Sequence, residues 1–223
     1  MWPDAELILF DMDHTLIDND CDVSWKEFLI AEGLAPPSEH DDIYRFWDLY
    51  CKGELPEQEF LGFQLRQFVG RTPEEMTPLL ERHFTERVRP SVFPEAQAEV
   101  RGLVAEGRAV AALTATNRMV SAPVCQGIGI RDVIATELET ADGRFTGRIE
   151  GAYCIGAGKI IRAETYCHEH GFSLDRTVYY GDSISDIPML ERVGFPVAVN
   201  PGEKLLALAQ KNAWPMRNWS LPA

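Results

Sequence analysis

Two aspartates stand one residue apart directly after a short apolar run, in the stretch "LILFDMDHT". The run covers residues 7–10, the two acids are Asp11 and Asp13, and Thr15 follows them. An apolar run without polar alternation is typical of a strand that is buried on both faces. Two like charges about 4 Å apart cost about 4 kcal/mol at an intermediate dielectric. The pair therefore needs a compensating cation or proton, which indicates a functional site.

Two later strands are also predicted to end in polar residues. The run "AVAALT" ends in Thr114, and "VYYGD" ends in Asp182. Ligands of doubly wound sheets bind beyond the carboxyl ends of the strands, so these side chains should converge on Asp11 and Asp13 if the strands are neighbours. Carboxylates without histidine or cysteine suit a hard divalent cation, Mg²⁺ above all, and phosphate is the substrate group that normally accompanies it.

A calcium-binding EF-hand loop is another interpretation of the regularly spaced acids in "DMDHTLIDNDCD". Counted from Asp11, the sixth position is Leu16, where that loop needs glycine. The twelfth position is Asp22, where it needs a bidentate glutamate. Both positions disagree with the loop, so the EF-hand interpretation is rejected.

The segment between the first two strands is predicted to be helical throughout. Ser38 is a candidate N-cap and Gly53 a candidate terminator of one helix, and another helix is expected over 56–70. Thr72 opens a capping box, "TPEE". Because helices alone are expected here, residues 18–90 are predicted to form a helical cap domain.

The remainder of the chain alternates between helix and strand patterns, with a hairpin that turns at Asp142 and Gly143. Such alternation predicts a parallel sheet with helices on both faces. We therefore expect an α/β fold: a doubly wound core of residues 1–17 and 91–223, with the cap inserted after its first strand.

At this point the motifs resemble those of the haloacid dehalogenase-like phosphohydrolases. That family has a strand followed by D-x-D-x-T, a second strand ending in Thr or Ser, a later Lys, and a G-D-x-x-x-D signature. The matching stretches are "FDMDHT", "ALTAT", "GAGKI" and "YGDSISD", and they supply Asp11, Asp13, Thr114, Lys159, Asp182 and Asp186. The four elements occur in the family's order and span the predicted core.

The resemblance implies different roles for the two leading acids. Asp11 would be the nucleophile that attacks phosphorus and becomes an aspartyl-phosphate. Asp13 would protonate the leaving alcohol and then activate the hydrolytic water. Asp11, the backbone carbonyl of Asp13 and Asp182 would hold Mg²⁺, with Asp186 behind them as support.

The resemblance also implies two groups that contact the phosphate. Thr114 would donate a hydrogen bond to a phosphate oxygen, and Lys159 would neutralise the transferring group. A threonine also suits a strand end on structural grounds, and Thr116 lies two residues further on. Lys159 begins a helix, where a cation opposes the helix dipole, so another group must hold it there.

The helical insertion and "DGRFTGRIEG" resemble the phosphoserine-phosphatase-like branch of the family. "LTATNRMVSAP" and "WKEFL" resemble a bacterial subgroup assigned as histidinol-phosphate phosphatases. In phosphoserine-specific relatives a glutamate seven positions beyond the second catalytic aspartate binds the substrate amine, and Asp20 occupies that position here. Two interpretations stay open: Asp20 binds a substrate amine, or it caps the following helix.

The expected activity is hydrolysis of a small amine-bearing phosphomonoester, with histidinol phosphate favoured because acids and aromatic rings would suffice to bind it. Phosphoserine also needs a cation for its carboxylate, and Arg45, Arg66 and Arg71 are candidates without an assigned role. Phosphoserine hydrolysis and a phosphotransferase or mutase reaction are the alternatives. A non-catalytic binding protein is disfavoured by the intact set of acidic and lysine motifs.

Composition limits the possible partners. The 223 residues carry a formal net charge of −14, which disfavours nucleic acids and anionic membranes. The five cysteines form no C-x-x-C pair and are odd in number, which favours free thiols in a reducing compartment. "MWPDAE" does not open a signal peptide, so a cytoplasmic location is expected. The oligomeric state cannot be predicted from these features.

Overall fold

The computed structural model describes residues 2–222, so Met1 and Ala223, the ends of the predicted core, lie outside the described residues. The strands in that range are β1 (Leu7–Phe10), β2 (Ala109–Asn117), β3 (Asp132–Ala141), β4 (Arg144–Glu150), β5 (Thr177–Gly181), β6 (Phe195–Val199) and β7 (Met216–Arg217). The α-helices are α1 (Cys21–Ala31), α2 (Glu39–Lys52), α3 (Glu57–Gln64), α4 (Pro73–His83), α5 (Pro94–Ala105), α6 (Arg118–Ile128), α7 (Ala157–His170), α8 (Ile187–Arg192) and α9 (Glu203–Lys211). None of the helices in the described range is long and apolar enough to cross a lipid bilayer.

Strand β1 lies at the centre of the sheet. The strand order is β4-β3-β2-β1-β5-β6-β7, and β1 pairs in parallel with β2 on one side and β5 on the other. The other pairs are parallel too, except for the antiparallel hairpin β3–β4. This arrangement confirms the predicted α/β fold. It also brings the residues that follow β1 and β5 to the same edge of the sheet.

Apolar clusters cover both faces of the sheet. Ile8 and Phe10 belong to one cluster and Leu7 and Leu9 to the other, because successive side chains of a strand point to opposite sides. All four side chains are fully buried. β1 is thus shielded from water along its length, and the first polar side chain that follows it is Asp11.

The predicted cap region contributes to two separate apolar clusters. Trp25 of α1 and Leu80 of α4 belong to the large cluster that also contains Phe10 of the sheet. The second cluster is small and consists of Ile43, Phe46 and Phe63. Helices α1 and α4 therefore pack with the core, whereas α2 and α3 form a separate small cluster, against which Val23 and Ile30 of α1 also pack. The division of the chain at 18–90 stays a prediction.

The hairpin β3–β4 turns at Asp142 and Gly143, as predicted. Both residues have left-handed backbone angles, with φ of 51° and 74°, and Ala141 pairs with Arg144 across the turn. Positive φ at two successive residues is what a tight two-residue hairpin with the natural twist requires.

The same hairpin is bonded to the segment between α3 and α4. The Gly70 amide donates to the Phe145 carbonyl, and the Phe145 amide donates to the Arg71 carbonyl, each at 2.9 Å. The Phe145 ring also packs edge-on against Phe68, with 5.5 Å between the centroids. The helical segment is therefore fastened to the edge of the sheet.

Some helix ends differ from the predicted ones. The helix predicted over 56–70 ends at Gln64, because the chain then turns towards β4, to which Gly70 is bonded. The capping box of Thr72 is confirmed, whereas Ser38 precedes α2 without a side-chain capping bond. The two-residue strand β7 has no counterpart among the predicted elements.

His83, at the end of α4, is a buried titratable group in this core. Its Nε2 lies 2.9 Å from the Ser24 hydroxyl, and the rings of Trp25 and Phe28 pack against it. Burial, with a further contribution from the positive charge of Arg87, lowers the pKa of His83 from 6.5 to about 4. The folded protein therefore keeps this imidazole neutral where an unfolded chain would protonate it.

We expect stability to fall as the pH drops from 6.5 to about 4, because only the unfolded state takes up the His83 proton there. The loss should reach about 3 kcal/mol for a shift of this size. His83→Gln keeps a hydrogen-bonding group without a titration, so its stability should fall less over that range in urea unfolding. Exposed His168→Gln is the control and should follow the wild type. Equal pH dependence in all three proteins would contradict the prediction.

Candidate active site

Lys159, in the first turn of α7, lies between two carboxylates. Its Nζ is 2.9 Å from Asp11 Oδ1 and 2.6 Å from Asp186 Oδ1, and it donates to the Tyr179 hydroxyl at 3.0 Å. All four residues are buried. Burial disfavours the charged lysine, but the charges of Asp11 and Asp186 outweigh it and raise the pKa of Lys159. These two anions are the support that a cation at a helix start requires.

Both oxygens of Asp186 are occupied by donors from the protein. Oδ1 accepts from Lys159 and Tyr179, and Oδ2 accepts from the amides of Asp182 and Ser183 and from the Ser183 hydroxyl. Burial acts to raise the pKa of Asp186, but the charge and hydrogen bond of Lys159 outweigh it and lower the pKa. Asp186 is thus an ionised carboxylate that organises the loop after β5, which is compatible with a supporting role behind a metal.

Asp182 follows β5 directly and shares a small space with Asp11. Its Oδ1 accepts a hydrogen bond from the Thr15 hydroxyl at 3.1 Å. Asp11, Asp182 and Asp186 each offer a carboxylate oxygen, and these atoms lie within 4.8 Å of one another. Burial and the negative charges of Asp186 and Asp11 raise the pKa of Asp182. Gly181 allows the Asp186 side chain to lie against the backbone at the end of β5, because a Cβ at residue 181 would lie 2.8 Å from Asp186.

Asp13 is held at both carboxylate oxygens. Oδ1 accepts from the Cys21 amide at 2.8 Å, and Oδ2 accepts from the Thr116 hydroxyl at 2.6 Å. Burial and the charge of Asp20 raise the pKa of Asp13 to about 7, against the effect of these hydrogen bonds. Burial likewise raises the pKa of Asp11 to about 7, although Lys159 opposes it. Asp13, which has no cation beside it among the described residues, can donate and accept a proton near neutral pH, whereas Lys159 favours the charged form of Asp11.

The two threonines of β2 have different neighbours. The strand continues to Asn117, so the prediction that it ends at Thr114 is wrong; its pairing with β3 resumes at Asn117 after a shift in register. Thr114 Oγ1 accepts from the Thr116 amide at 3.2 Å, and both residues line the same cavity as Asp11. Thr116, which contacts Asp13 directly, received no role from the sequence. Its spacing of two residues from Thr114, which puts both on one face of the strand, was the available signal.

A cavity of about 620 Å³ opens beside these residues. Its walls combine acids and aromatic rings, among them Asp18, Asp20, Asp22, Phe46, Trp47, Tyr50, Phe60 and Tyr153. Asp20 Oδ1 accepts from the Val23 amide at 2.8 Å, so Asp20 caps α1 while it also lines the cavity. Its position is therefore compatible with both interpretations of this residue.

The three arginines considered for a substrate carboxylate do not line this cavity. Arg45 pairs with Asp42 and Glu59 on the surface, and Arg66 pairs with Glu39. Arg71 is exposed, and its carbonyl is bonded to the hairpin. Within residues 2–222, the lysines that line the cavity are Lys159 and Lys204, and no arginine does so.

A sequence profile of the haloacid dehalogenase-like hydrolases matches residues 8–191. This range begins in β1, ends in α8 and contains the aspartates, the two threonines and Lys159 described above. The chain belongs to this family. Together with the phosphatase names of its relatives, membership makes it a phosphoric monoester hydrolase.

Two relatives of this haloacid dehalogenase-like hydrolase are phosphatases by name. It is 34% identical over 218 residues to the histidinol-phosphatase of Neisseria meningitidis, covering 96% of this chain and 98% of that protein. It is 30% identical to phosphoserine phosphatase SerB1 of Mycobacterium tuberculosis, covering 95% and 70% respectively. A solved structure of a protein of unknown function from Bordetella pertussis Tohama I superposes with a TM-score of 0.87 at 36% identity, covering 95% and 97%.

Haloacid dehalogenase-like phosphatases generally use a divalent metal, and the carboxylates of this chain fit one. The clustered donors are oxygen atoms, as a hard cation prefers. Because protein donors occupy both oxygens of Asp186, the carboxylates best placed to bind an ion are those of Asp11 and Asp182. A cation there would also offset the burial of two neighbouring negative charges.

Proposed function

We propose that this hydrolase is a Mg²⁺-dependent phosphomonoesterase that acts through an aspartyl-phosphate on Asp11. The favoured substrate is histidinol phosphate, a small amine-bearing phosphate. The observation that carries the proposal is the buried contact of 2.9 Å between Asp11 Oδ1 and Lys159 Nζ in the cavity wall. It leaves Asp11 Oδ2 to act as the nucleophile and holds a positive charge beside the phosphate that it attacks.

The proposed reaction has two steps, which use Asp11 and Asp13 in turn. Asp11 attacks phosphorus, the bond from phosphorus to the ester oxygen breaks, and protonated Asp13 gives its proton to the leaving oxygen. A water then attacks the aspartyl-phosphate while Asp13 takes its proton, which releases phosphate and regenerates Asp11. The hydrogen bonds from Cys21 and Thr116 keep the Asp13 carboxyl group in one orientation for both transfers.

The phosphate itself would be held by Thr114 and Lys159, which both line the cavity. Mg²⁺, bound by Asp11, Asp182 and the backbone carbonyl of Asp13, would supply positive charge that neutralises the transferring phosphoryl group. Asp186 would keep Lys159 and the Asp182 loop in place through the bonds described above.

The character of the cavity supports a cationic substrate without a carboxylate. Asp18, Asp20 and Asp22 line it together with aromatic rings, and no arginine among the described residues does so. Histidinol phosphate offers an amine and an imidazole to such walls. The relative named histidinol-phosphatase matches nearly the full length of both chains, which favours the same substrate. We propose that Asp20 faces the amine while it caps α1.

Phosphoserine is the second candidate, and the relative named phosphoserine phosphatase favours it. Its carboxylate would meet a wall with three aspartates and, among residues 2–222, no arginine, where Lys204 is the lysine besides Lys159, which is why phosphoserine is placed second. A phosphotransferase or mutase on the same scaffold would form the same aspartyl-phosphate but pass the phosphoryl group to an alcohol.

Two further parts of the proposal concern the role of the helical segment and the cellular location. We propose that residues 18–90 act as a cap over the cavity, since α2 and α3 contribute Trp47, Tyr50 and Phe60 to its walls. We also propose a cytoplasmic location, which the five free cysteines support.

Phosphate release across a panel of phosphomonoesters with Mg²⁺ tests the function. We expect the highest kcat/KM for histidinol phosphate, at least about tenfold above phosphoserine, because like charges at an interface disfavour the wrong partner. A preference for phosphoserine would select the second candidate. Transfer of the phosphoryl group to an added alcohol without net phosphate release would select the phosphotransferase.

The same panel with EDTA tests the metal. Chelation should abolish turnover of every substrate, and added Mg²⁺ should restore it. Asp182→Asn should need at least about tenfold more Mg²⁺ for half-maximal activity, whereas exposed Asp175→Asn should match the wild type. Full activity in EDTA would contradict the proposed metal dependence.

A further inference from the structure

Gln64, the last residue of α3, has a buried side-chain oxygen without a partner. The residue is 5% exposed, and its Nε2 donates to the Asp22 carbonyl at 3.3 Å. This bond fixes the amide orientation, because the reverse orientation would set two acceptors against each other. Within residues 2–222, Oε1 is left without any hydrogen-bond partner. Such groups are rare in folded proteins and call for an explanation.

Gln64 belongs to the acidic part of the cavity wall. Gln64, Asp20 and Asp22 all line the cavity, and the bond from Gln64 to the Asp22 carbonyl joins α3 to the first turn of α1. Asp20 uses one carboxylate oxygen to cap α1. Gln64 therefore brings a buried, unpaired carbonyl oxygen to the part of the wall that also contains two aspartates.

The two buried lysines of this region are already engaged, and Lys204, the other lysine of the cavity wall, is exposed in the first turn of α9. Lys159 is held between Asp11 and Asp186. Lys26, one turn along α1 from Asp22, is fully buried and donates to Glu39 and to the Phe63 carbonyl. This part of the wall thus has hydrogen-bond acceptors in excess of donors. An ammonium group, with three N–H donors and a positive charge, has the matching chemistry.

We propose that Gln64 is a specificity-determining residue whose Oε1 accepts a hydrogen bond from the protonated amine of the substrate, beside Asp20 and Asp22. This inference rests on the proposed phosphatase function and adds to it a residue that recognises the part of the substrate that leaves as an alcohol. A substrate that lacks the amine would leave Oε1 buried and unpaired, so the residue rejects it as well as favouring the amine.

The test compares histidinol phosphate with its analogue that lacks the amino group. The ratio of their kcat/KM values measures recognition of the amine, because a loss of folding or of catalysis that affects both substrates equally cancels in it. Gln64→Leu should lower this ratio by about 10- to 100-fold, as expected for a lost hydrogen bond to a charged group, with most of the change in KM. A ratio within about twofold of the wild-type value would overturn the inference, since that lies below a net hydrogen bond.

A matched control variant separates recognition from structure. Gln97 also donates from its side chain to a backbone carbonyl, that of Gly127, but does not line the cavity. Gln97→Leu should therefore leave the ratio unchanged. A loss of the ratio in Gln97→Leu equal to that in Gln64→Leu would contradict a specific role of Gln64 in recognition.

Binding of histidinol, measured by calorimetry, keeps this inference distinct from the proposed function. If the wild type hydrolyses other phosphates but not histidinol phosphate, the proposed substrate is wrong. The Gln64 inference then stands if wild type binds histidinol more tightly than its deaminated analogue and Gln64→Leu abolishes that difference. Equal binding of the two alcohols by the wild type would overturn it.

Discussion

Asp11→Asn should abolish phosphate release from every phosphomonoester, with kcat reduced at least about 10³-fold, because an amide cannot act as the nucleophile. The fold should persist, since asparagine has nearly the same shape and Lys159 keeps its contact with Asp186. Phosphate release at high enzyme concentration gives the rate, and circular dichroism with urea unfolding gives the folded fraction.

A covalent readout makes this result specific. Wild-type enzyme quenched in acid during turnover of a radiolabelled substrate should carry label that hydroxylamine releases, as an acyl phosphate does, and Asp11→Asn should carry none. Turnover by the variant above about 1% of the wild-type rate would mean that the nucleophile lies elsewhere.

Lys159→Met should reduce both activity and stability. Two buried carboxylates, Asp11 and Asp186, would lose the cation that lies within 2.9 Å of each. Removing one partner of a buried ion pair typically costs about 3–5 kcal/mol, so a fall of that size is expected in urea unfolding. The folded fraction should also turn over at least about 10²-fold more slowly, since the charge beside the transferring phosphate is gone.

Lys26→Met is the matched control for this variant. Lys26 is also fully buried and pairs with a buried carboxylate, Glu39, at 3.0 Å. Its loss should destabilise the protein by a similar amount of about 3–5 kcal/mol while folded enzyme keeps its kcat with phenyl phosphate. Equal losses of kcat per folded molecule in both variants would remove Lys159 from the proposed chemistry.

The strand ends of the site were predictable because they depend on local patterns and one topological rule. A buried strand followed by Asp11, and another followed by Asp182, can be recognised from hydrophobic runs alone. In the structure β1 and β5 are direct neighbours, so the two acids meet. Lys159 was found through the family motif, and the need for anions to hold it at a helix start followed from elementary electrostatics.

The contacts that depend on where an element stops were not predictable. Thr116 reaches Asp13 because β2 runs on past Thr114, and strand length is set by pairing with β3. Gln64 faces the cavity because α3 ends there, six residues before the glycine that was expected to stop it. The hydrophobic periodicity of the sequence cannot predict where α3 or β2 ends. Both ends depend on tertiary hydrogen bonding, of Gly70 with β4 and of Asn117 with β3.

The hairpin contact at Phe145 has a consequence for attempts to exchange parts between relatives. Residues 18–90, the proposed cap, continue into the core at two chain junctions, and Gly70 and Arg71 are in addition hydrogen-bonded to β4 through the backbone. A chimaera that imports a foreign insert alone would lose these backbone bonds together with Phe68, and the Phe145 ring would be left without its aromatic partner. A graft that folds should therefore carry the donor's β3–β4 hairpin together with its helical insertion.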